Sequence, residues 1–352
     1  MNTAAPWLGL DVGGANLKAA TTAGFAAQTE FPLWQRPNEL AAAIAELIAS
    51  APPCRGVAAT MTGELADCYA SKREGVAAIA DALTEAAGPT PVRVYDLTLS
   101  GFIGPDQAAN HVRGVAAGNW HALATACGRL ARKPGVLIDV GSTTTDVVRF
   151  APSGVLSNSV TDTDRLLSGE LLYQGVGRTP VAALTHTLPL DGRECPVAAE
   201  LFATTADAAV LLGLMPESNT LGADGRPLTR ACSAARLARM ICADAGDLTS
   251  EQITRLAQDV MGALKHRLAD ALRHLQASSD GFFVVSGAGE WLARQAVANV
   301  APAAEVTTLS SLVGEAASVC APAWAVAFLA GEGAAFLAGE GAAFLAGEGA
   351  IT

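Results

Sequence analysis

The sequence predicts an α/β protein of two lobes, each with mixed sheet flanked by helices. Two observations carry this. An apolar strand, a glycine-rich turn and a second strand at 7–22 recur at 136–150. Between and after them, apolar runs of strand length alternate with stretches of helical spacing. A chain of 352 residues is long enough for two such cores.

The elements follow in order. Residues 7–12 form an apolar run ending in Asp-Val-Gly-Gly, and 17–21 make a second short strand. Residues 39–49 put Leu40, Ile44, Leu47 and Ile48 on one helical face. A strand is expected at 56–60, then a helix at 76–87 stopped by Gly88-Pro89. A strand at 92–95 and a helix at 120–132 follow. The pattern then restarts at 136–140 and 146–150, which reads as a weak internal duplication with a boundary at 133–135. Residues 1–134 are thus expected as the first lobe and 135–326 as the second. Residues 180–184 and 196–212 read as helical. The clearest helix is 249–277, where Ile253, Leu256, Val260, Leu264, Leu268, Leu272 and Leu275 recur and Thr249 with Gln252 forms a capping box. A strand at 282–286, a helix at 290–300 and a strand at 306–309 complete the second lobe. In the tail, 327–352, a Phe-Leu-Ala-Gly-Glu-Gly segment starts at Phe328, Phe336 and Phe344. That period is far shorter than solenoid repeats, so the tail reads as a duplicated coding segment without function.

Composition excludes several classes. The formal net charge of −11 argues against a nucleic-acid partner, which needs clustered Lys and Arg. The seven cysteines are odd in number and contain no C-x-x-C pair, against both a disulfide framework and a zinc cage. No secretory signal or apolar run long enough for a membrane span is expected, so the reading is a cytoplasmic protein.

Three glycine-rich turns carry the chemistry. In Asp11-Val12-Gly13-Gly14-Ala15-Asn16-Leu17-Lys18, the glycines let backbone N–H groups approach phosphate oxygens. Asp11, at the strand end, suits Mg²⁺, and Lys18 neutralises further charge. Neither the P-loop nor the G-x-G-x-x-G spacing is present. The plainer alternative is a hairpin turn with an exposed aspartate. The second turn, Asp139-Val140-Gly141-Ser142-Thr143-Thr144-Thr145-Asp146, has the same logic, with hydroxyls that donate to phosphate oxygens. The expected phosphate contacts are Gly13, Gly14, Asn16, Gly141, Ser142, Thr143 and Thr144, with Asp11 and Asp139 for the metal. In the third, Ser286-Gly287-Ala288-Gly289-Glu290, a buried strand opens into a helix whose N–H groups suit an anion or nucleotide edge. A tight turn needs such glycines on steric grounds alone.

These three turns, in this order, resemble the superfamily of actin, sugar kinases and heat-shock chaperones, over about residues 7–325. The resemblance implies an actin-like, ribonuclease H-like fold with a cleft between the lobes. It also implies that Gly287, Gly289 and Glu290 lie at an adenosine site. The segments Met61-Thr62-Gly63-Glu64-Leu65-Ala66-Asp67-Cys68, Lys72, Asn119-Trp120-His121-Ala122, Leu167-Ser168-Gly169-Glu170-Leu171 and Gly177-Arg178-Thr179-Pro180 resemble one family more closely. It is that of the hydantoinase/oxoprolinase-like proteins of tetrahydromethanopterin-linked one-carbon metabolism, which includes a methanofuran-biosynthesis synthase.

That resemblance implies a transferase joining an aminomethylfuran-methyl diphosphate to a phenolic oxygen, with Mg²⁺ and release of diphosphate. Lys18 or Arg178 would take remaining negative charge. The base for the phenol is left open among Glu64, Asp67, Glu170 and His121, with Lys72, His121 and Glu170 as substrate contacts. Each has a plainer role: Glu64 and Asp67 as caps, His121 and Lys72 as helix starts, Arg178 as a loop tie. The competing reading is an ATP-dependent hydantoinase, oxoprolinase or small-molecule kinase. A non-catalytic regulatory member is a third, which the two aspartates argue against. The expected partners are small molecules, a diphosphate ester and a phenolic amine, with self-association left open.

Overall fold

The computed structural model describes residues 5–276 and 280–332. In its first sheet the six strands are β1 (Trp7–Val12), β2 (Asn16–Ala20), β3 (Ala26–Glu30), β4 (Gly56–Met61), β5 (Val92–Asp96) and β6 (Gly101–Ile103), in the spatial order β3-β2-β1-β4-β5-β6. β1, β4 and β5 are mutually parallel, whereas β2, β3 and β6 run antiparallel to their neighbours. The first two parallel strands are buried along their whole length, as expected of strands covered on both faces.

The second sheet uses β7 (Gly135–Val140), β8 (Thr145–Ala151), β9 (Gly154–Val155) and β10 (Leu171–Leu172). Two small hairpins follow, β11–β12 (Thr187–Leu190 with Arg193–Pro196) and β13–β14 (Ser218–Leu221 with Pro227–Leu228). β15 (Phe282–Ser286) and β16 (Glu305–Thr308) complete the sheet, whose order is β10-β8-β7-β15-β16 with β9 on β8. β15 lies parallel to both β7 and β16. The order β3-β2-β1-β4-β5 thus recurs as β10-β8-β7-β15-β16. The internal duplication extends beyond the strand–turn–strand motif to a five-strand plan.

The described residues form two compact units: those of 5–135, 148–165 and 309–332 in the first, those of 136–147, 166–276 and 280–308 in the second. Each has its own core. In the first, Leu8, Leu10 and Val12 of β1 pack with Val57, Ala59 and Met61 of β4 under the helices Leu40–Ala49 and Lys72–Ala87. On the opposite face of β1, a Cβ at Gly9 would lie 1.7 Å from the Ala323 carbonyl oxygen, so only glycine lets helix 321–332 cross there. In the second, Ile138, Val140, Phe283 and Val285 pack against Leu256, Val260, Leu264, Leu268 and Leu272 of the helix Ser250–His274. That helix starts with the expected capping box of Thr249 and Gln252. Gly88 ends Lys72–Ala87 at a φ of 55°.

One expectation fails. Residues 196–212 are helical only over Thr205–Leu211. Pro196 instead closes β12, paired with Thr187. The helix begins where Thr204 and Asp207 make a capping box, which periodicity across a proline does not reveal. The helix Arg230–Arg239 was not foreseen. Its Arg236 is fully buried and ion-paired to Asp207 at 2.7 Å and Asp224 at 2.8 Å. Of the tail, only residues up to 332 are described, so the second and third octads lie outside the described residues. No helix among those described is long and apolar enough to cross a membrane.

Candidate functional site

In the first unit, the turn between β1 and β2 is closed by the Gly13 N–H donating to the Asn16 carbonyl at 3.1 Å. A Cβ at Gly13 would sit 2.8 Å from that oxygen, whereas Gly14 has open space around it. Asp11 is buried, and burial raises its carboxyl to about 6 against the pull of Lys18. Lys18 is its register partner on β2. Asp11 Oδ1 is buried without a hydrogen-bond partner among the described residues. A buried carboxylate oxygen with no donor is costly unless a cation meets it, so this position fits Mg²⁺.

A second loop lies on the first. The Thr62 and Gly63 N–H groups both donate to the Val12 carbonyl, at 2.9 and 3.0 Å. A Cβ at Gly63 would meet the Gly13 backbone at 3.2 Å and Leu33 Cδ2 at 2.8 Å. Glu64 follows, 1% exposed, with Gly75 against its backbone. Burial pushes its carboxyl up to about 7. An N–H of its own backbone, Lys72 and the Ala117 N–H pull the other way, while Asp162 adds to the rise. Oε2 has no hydrogen-bond partner among the described residues. Asp67 is exposed on the same loop. Lys72 is half-buried at the first position of its helix, which Ser71 caps.

His121 is buried, its Nδ1 2.9 Å from the Tyr95 hydroxyl and its ring edge-on to Trp120. Burial, aided by Arg165, lowers it to about 4, so it is neutral at physiological pH. Sequence reasoning missed Arg165. It is buried, stacked over Trp120 at 4.2 Å and paired with Asp162 at 3.2 Å. Nothing in its local pattern separates it from a surface arginine. Asp96, also missed, is fully buried and receives Thr98 and His111.

The second unit repeats the loop arrangement. The Gly141 N–H donates to the Thr144 carbonyl at 2.8 Å, closing the turn between β7 and β8. Ser142 is exposed, and Thr143 and Thr144 are half-buried. The overlying loop comes from 174–178, where the Gly177 and Arg178 N–H groups donate to the Ser142 carbonyl at 3.0 and 2.8 Å. A Cβ at Gly175 would be 2.4 Å from the Gly141 oxygen. Arg178 is exposed. Glu170 is buried and receives the Ser168 hydroxyl at 2.9 Å.

The third turn belongs to this unit. Gly287 adopts a φ of 88°, and a Cβ there would meet the Val140 carbonyl oxygen at 2.3 Å and Asp139 Oδ1 at 2.6 Å. This glycine therefore makes room for the Asp139 carboxylate. The Gly289 N–H donates to the Val140 carbonyl at 2.9 Å. Glu290 pairs with Arg294 one turn along its helix, at 3.1 Å. Among the described residues, no group of three or more His, Cys, Asp or Glu is arranged to hold a metal. A cation here would keep most of its waters, as Mg²⁺ does.

The hydantoinase/oxoprolinase family profile matches residues 55–332. The chain belongs to the hydantoinase/oxoprolinase family. It is 30% identical over 330 residues to the (4-{4-[2-(gamma-L-glutamylamino)ethyl]phenoxymethyl}furan-2-yl)methanamine synthase of Methanocaldococcus jannaschii, covering 92% of this chain and 96% of that one. A synthase of the same name from Methanococcus vannielii is 26% identical over 202 residues, 55% of this chain and 89% of that one. Among solved structures, nucleotide-free acetone carboxylase superposes with a TM-score of 0.53 at 12% identity, covering 92% of this chain and 70% of that one. The hydantoinase/oxoprolinase chain thus has the actin-like fold of two mixed sheets flanked by helices.

Proposed function

We propose that this family member is a transferase of methanofuran-type cofactor biosynthesis. It would join an aminomethylfuran-methyl diphosphate to the phenolic oxygen of a tyramine- or tyrosine-derived amine. The observation that carries this is the 30% identity, across nearly the full length of both chains, to a synthase named for a phenoxymethylfuran.

The chemistry suits the residues. The bond from the furanmethyl carbon to the diphosphate oxygen breaks, and its electron pair leaves with diphosphate. A new bond forms from the phenol oxygen to that carbon, and the phenol proton passes to a base. In the first unit's turn, Gly14 and Asn16 offer N–H donors to phosphoryl oxygens and Lys18 adds positive charge, the Gly13 N–H being taken up in closing the turn. In the second unit's turn, taken by itself, Ser142, Thr143 and Thr144 offer N–H and hydroxyl donors and Arg178 adds positive charge, the Gly141 N–H being likewise taken up. Asp11 or Asp139 would hold Mg²⁺, which would neutralise the departing charge.

Glu64 is the base in this reading. Its carboxyl, near 7, matches a group that must accept a proton at neutral pH. The other three are less suited: Asp67 is exposed, Glu170 already receives Ser168, and His121, near 4, is too weak a base. The seven free cysteines suit a reducing cytoplasm.

One feature favours a second reading, an ATP-dependent enzyme of the same family or a small-molecule kinase. The glycine turn at Gly287–Gly289 opens a helix beside Asp139, a form that suits a nucleotide edge. The test is diphosphate release by purified protein with Mg²⁺, the furan diphosphate and a panel of phenolic amines, with mass spectrometry for the ether. Acceptor-dependent diphosphate and an ether of matching mass are expected. No ether, with ATP hydrolysis stimulated by another small molecule, would replace the transferase reading by the second.

A further inference from the structure

Each of the two aspartates has a hydroxyl residue beside it on the neighbouring parallel strand. On β4, Thr60 is the register partner of Asp11; on β15, Ser286 is the register partner of Asp139. Both strands lie parallel to the strand that carries the aspartate, so paired side chains emerge on one face, on strands about 4.8 Å apart. That face is the one turned away from each unit's apolar cluster: Val57, Ala59 and Met61 of β4, and Phe283 and Val285 of β15, take the other.

Both hydroxyls are buried, Thr60 at 0% and Ser286 at 2% exposure. Neither Oγ has a hydrogen-bond partner among the described residues. A buried hydroxyl with no acceptor destabilises a folded chain, and here it occurs at the two equivalent places of a duplicated strand plan. In the first unit the facing Asp11 Oδ1 is itself without a donor. In the second, Gly287 clears space for Asp139 Oδ1 directly after Ser286.

We propose that Thr60 and Ser286 are a matched pair of positioning residues for the cation-binding aspartates. Each hydroxyl donates to the carboxylate of its register partner when that carboxylate holds a divalent cation, fixing which oxygen faces the metal. The proposal rests on the assignment of Asp11 and Asp139 as cation positions, not on the identity of the substrate.

The test is Mn²⁺ affinity by electron paramagnetic resonance, with melting measured separately in EDTA. The variants are Thr60→Val, Thr60→Ser and Ser286→Ala. Thr60→Val keeps the side-chain shape and removes the unmet hydroxyl, so its melting temperature in EDTA is expected to equal or exceed that of the parent protein. Its Mn²⁺ affinity is expected to fall about tenfold, at the low end of what outer-shell changes do. Thr60→Ser is expected to restore it, and Ser286→Ala to weaken Mn²⁺ binding comparably. A structural hydroxyl would give the reverse: Thr60→Val melting lower in EDTA with Mn²⁺ affinity unchanged, which overturns the proposal. Parent protein that takes up no Mn²⁺ overturns it too. Parent protein that binds Mn²⁺ but forms no ether removes the transferase reading and leaves the hydroxyl pair to be judged on the variants' affinities.

Discussion

Glu64 joins a cost in stability to a gain in reactivity. Its carboxyl lies at about 7 in the folded protein, against 4.5 ordinarily, because it is buried. A raised carboxyl contributes stability that is fully present below about pH 4.5 and lost as pH rises through 7. Glu64→Gln has no such loss. Its advantage over the parent protein should be nil near pH 4.5 and reach about 3 kcal/mol by pH 8. Calorimetry at pH 5 and pH 8 checks this, and equal differences at the two pH values would show that Glu64 does not titrate in this range. Turnover of the same variant should fall about 10²–10⁴-fold if Glu64 takes the phenol proton. The parent rate should rise with pH through about 7 as the carboxylate forms. Asp139→Asn is expected to lose at least about a hundredfold in turnover with an unchanged circular dichroism spectrum. Full activity would remove Asp139 from the cation position.

At the scale of elements, the recurring device is a glycine loop with a second loop laid on it. Gly63 packs on Gly13 in one unit, and Gly175 and Gly177 pack on Gly141 and Ser142 in the other. The glycine loops themselves were legible in the sequence, because an aspartate and glycines ending an apolar run form a local pattern. The overlying loops were singled out only by family resemblance, since the contact joins segments about 50 residues apart in one unit and about 35 in the other. Thr60 and Ser286 were illegible for a related reason: a hydroxyl inside an apolar strand reads as a neutral strand residue until the register places it beside an aspartate. Arg165 and Arg236 were missed because burial of an arginine depends on the partner it finds. Two glycine variants separate packing from propensity. At Gly175 an added Cβ meets backbone atoms of Gly141 and Ser142 within 2.7 Å, so Gly175→Ala should cost roughly 1–3 kcal/mol. At Gly262, inside the helix Ser250–His274, nothing lies within 4 Å, so Gly262→Ala should stabilise by up to about 1 kcal/mol. Urea denaturation of the two variants reads both signs.

For the whole molecule, duplication explains what was readable. A five-strand plan used twice puts the same aspartate-bearing turn after the first strand of each sheet, and two copies of a short motif are far harder to dismiss than one. What interrupts the plan was harder to read: the β11–β12 and β13–β14 hairpins and the helix Arg230–Arg239 lie between β10 and β15 and carry none of the singled-out residues. The C-terminal octads are a different kind of repeat. The family profile ends at residue 332, whereas the second and third copies begin at Phe336 and Phe344. The part that the fold uses is earlier, where Ala323 lies against Gly9 behind β1. Deleting residues 336–352 should therefore leave both turnover and melting temperature within error of the full chain. Deleting from residue 321 onward should uncover the Gly9 face of β1 beside Asp11 and abolish stable folding. A first truncation that loses turnover while its melting temperature is unchanged would give the octads a role in the reaction that neither their composition nor their position predicts.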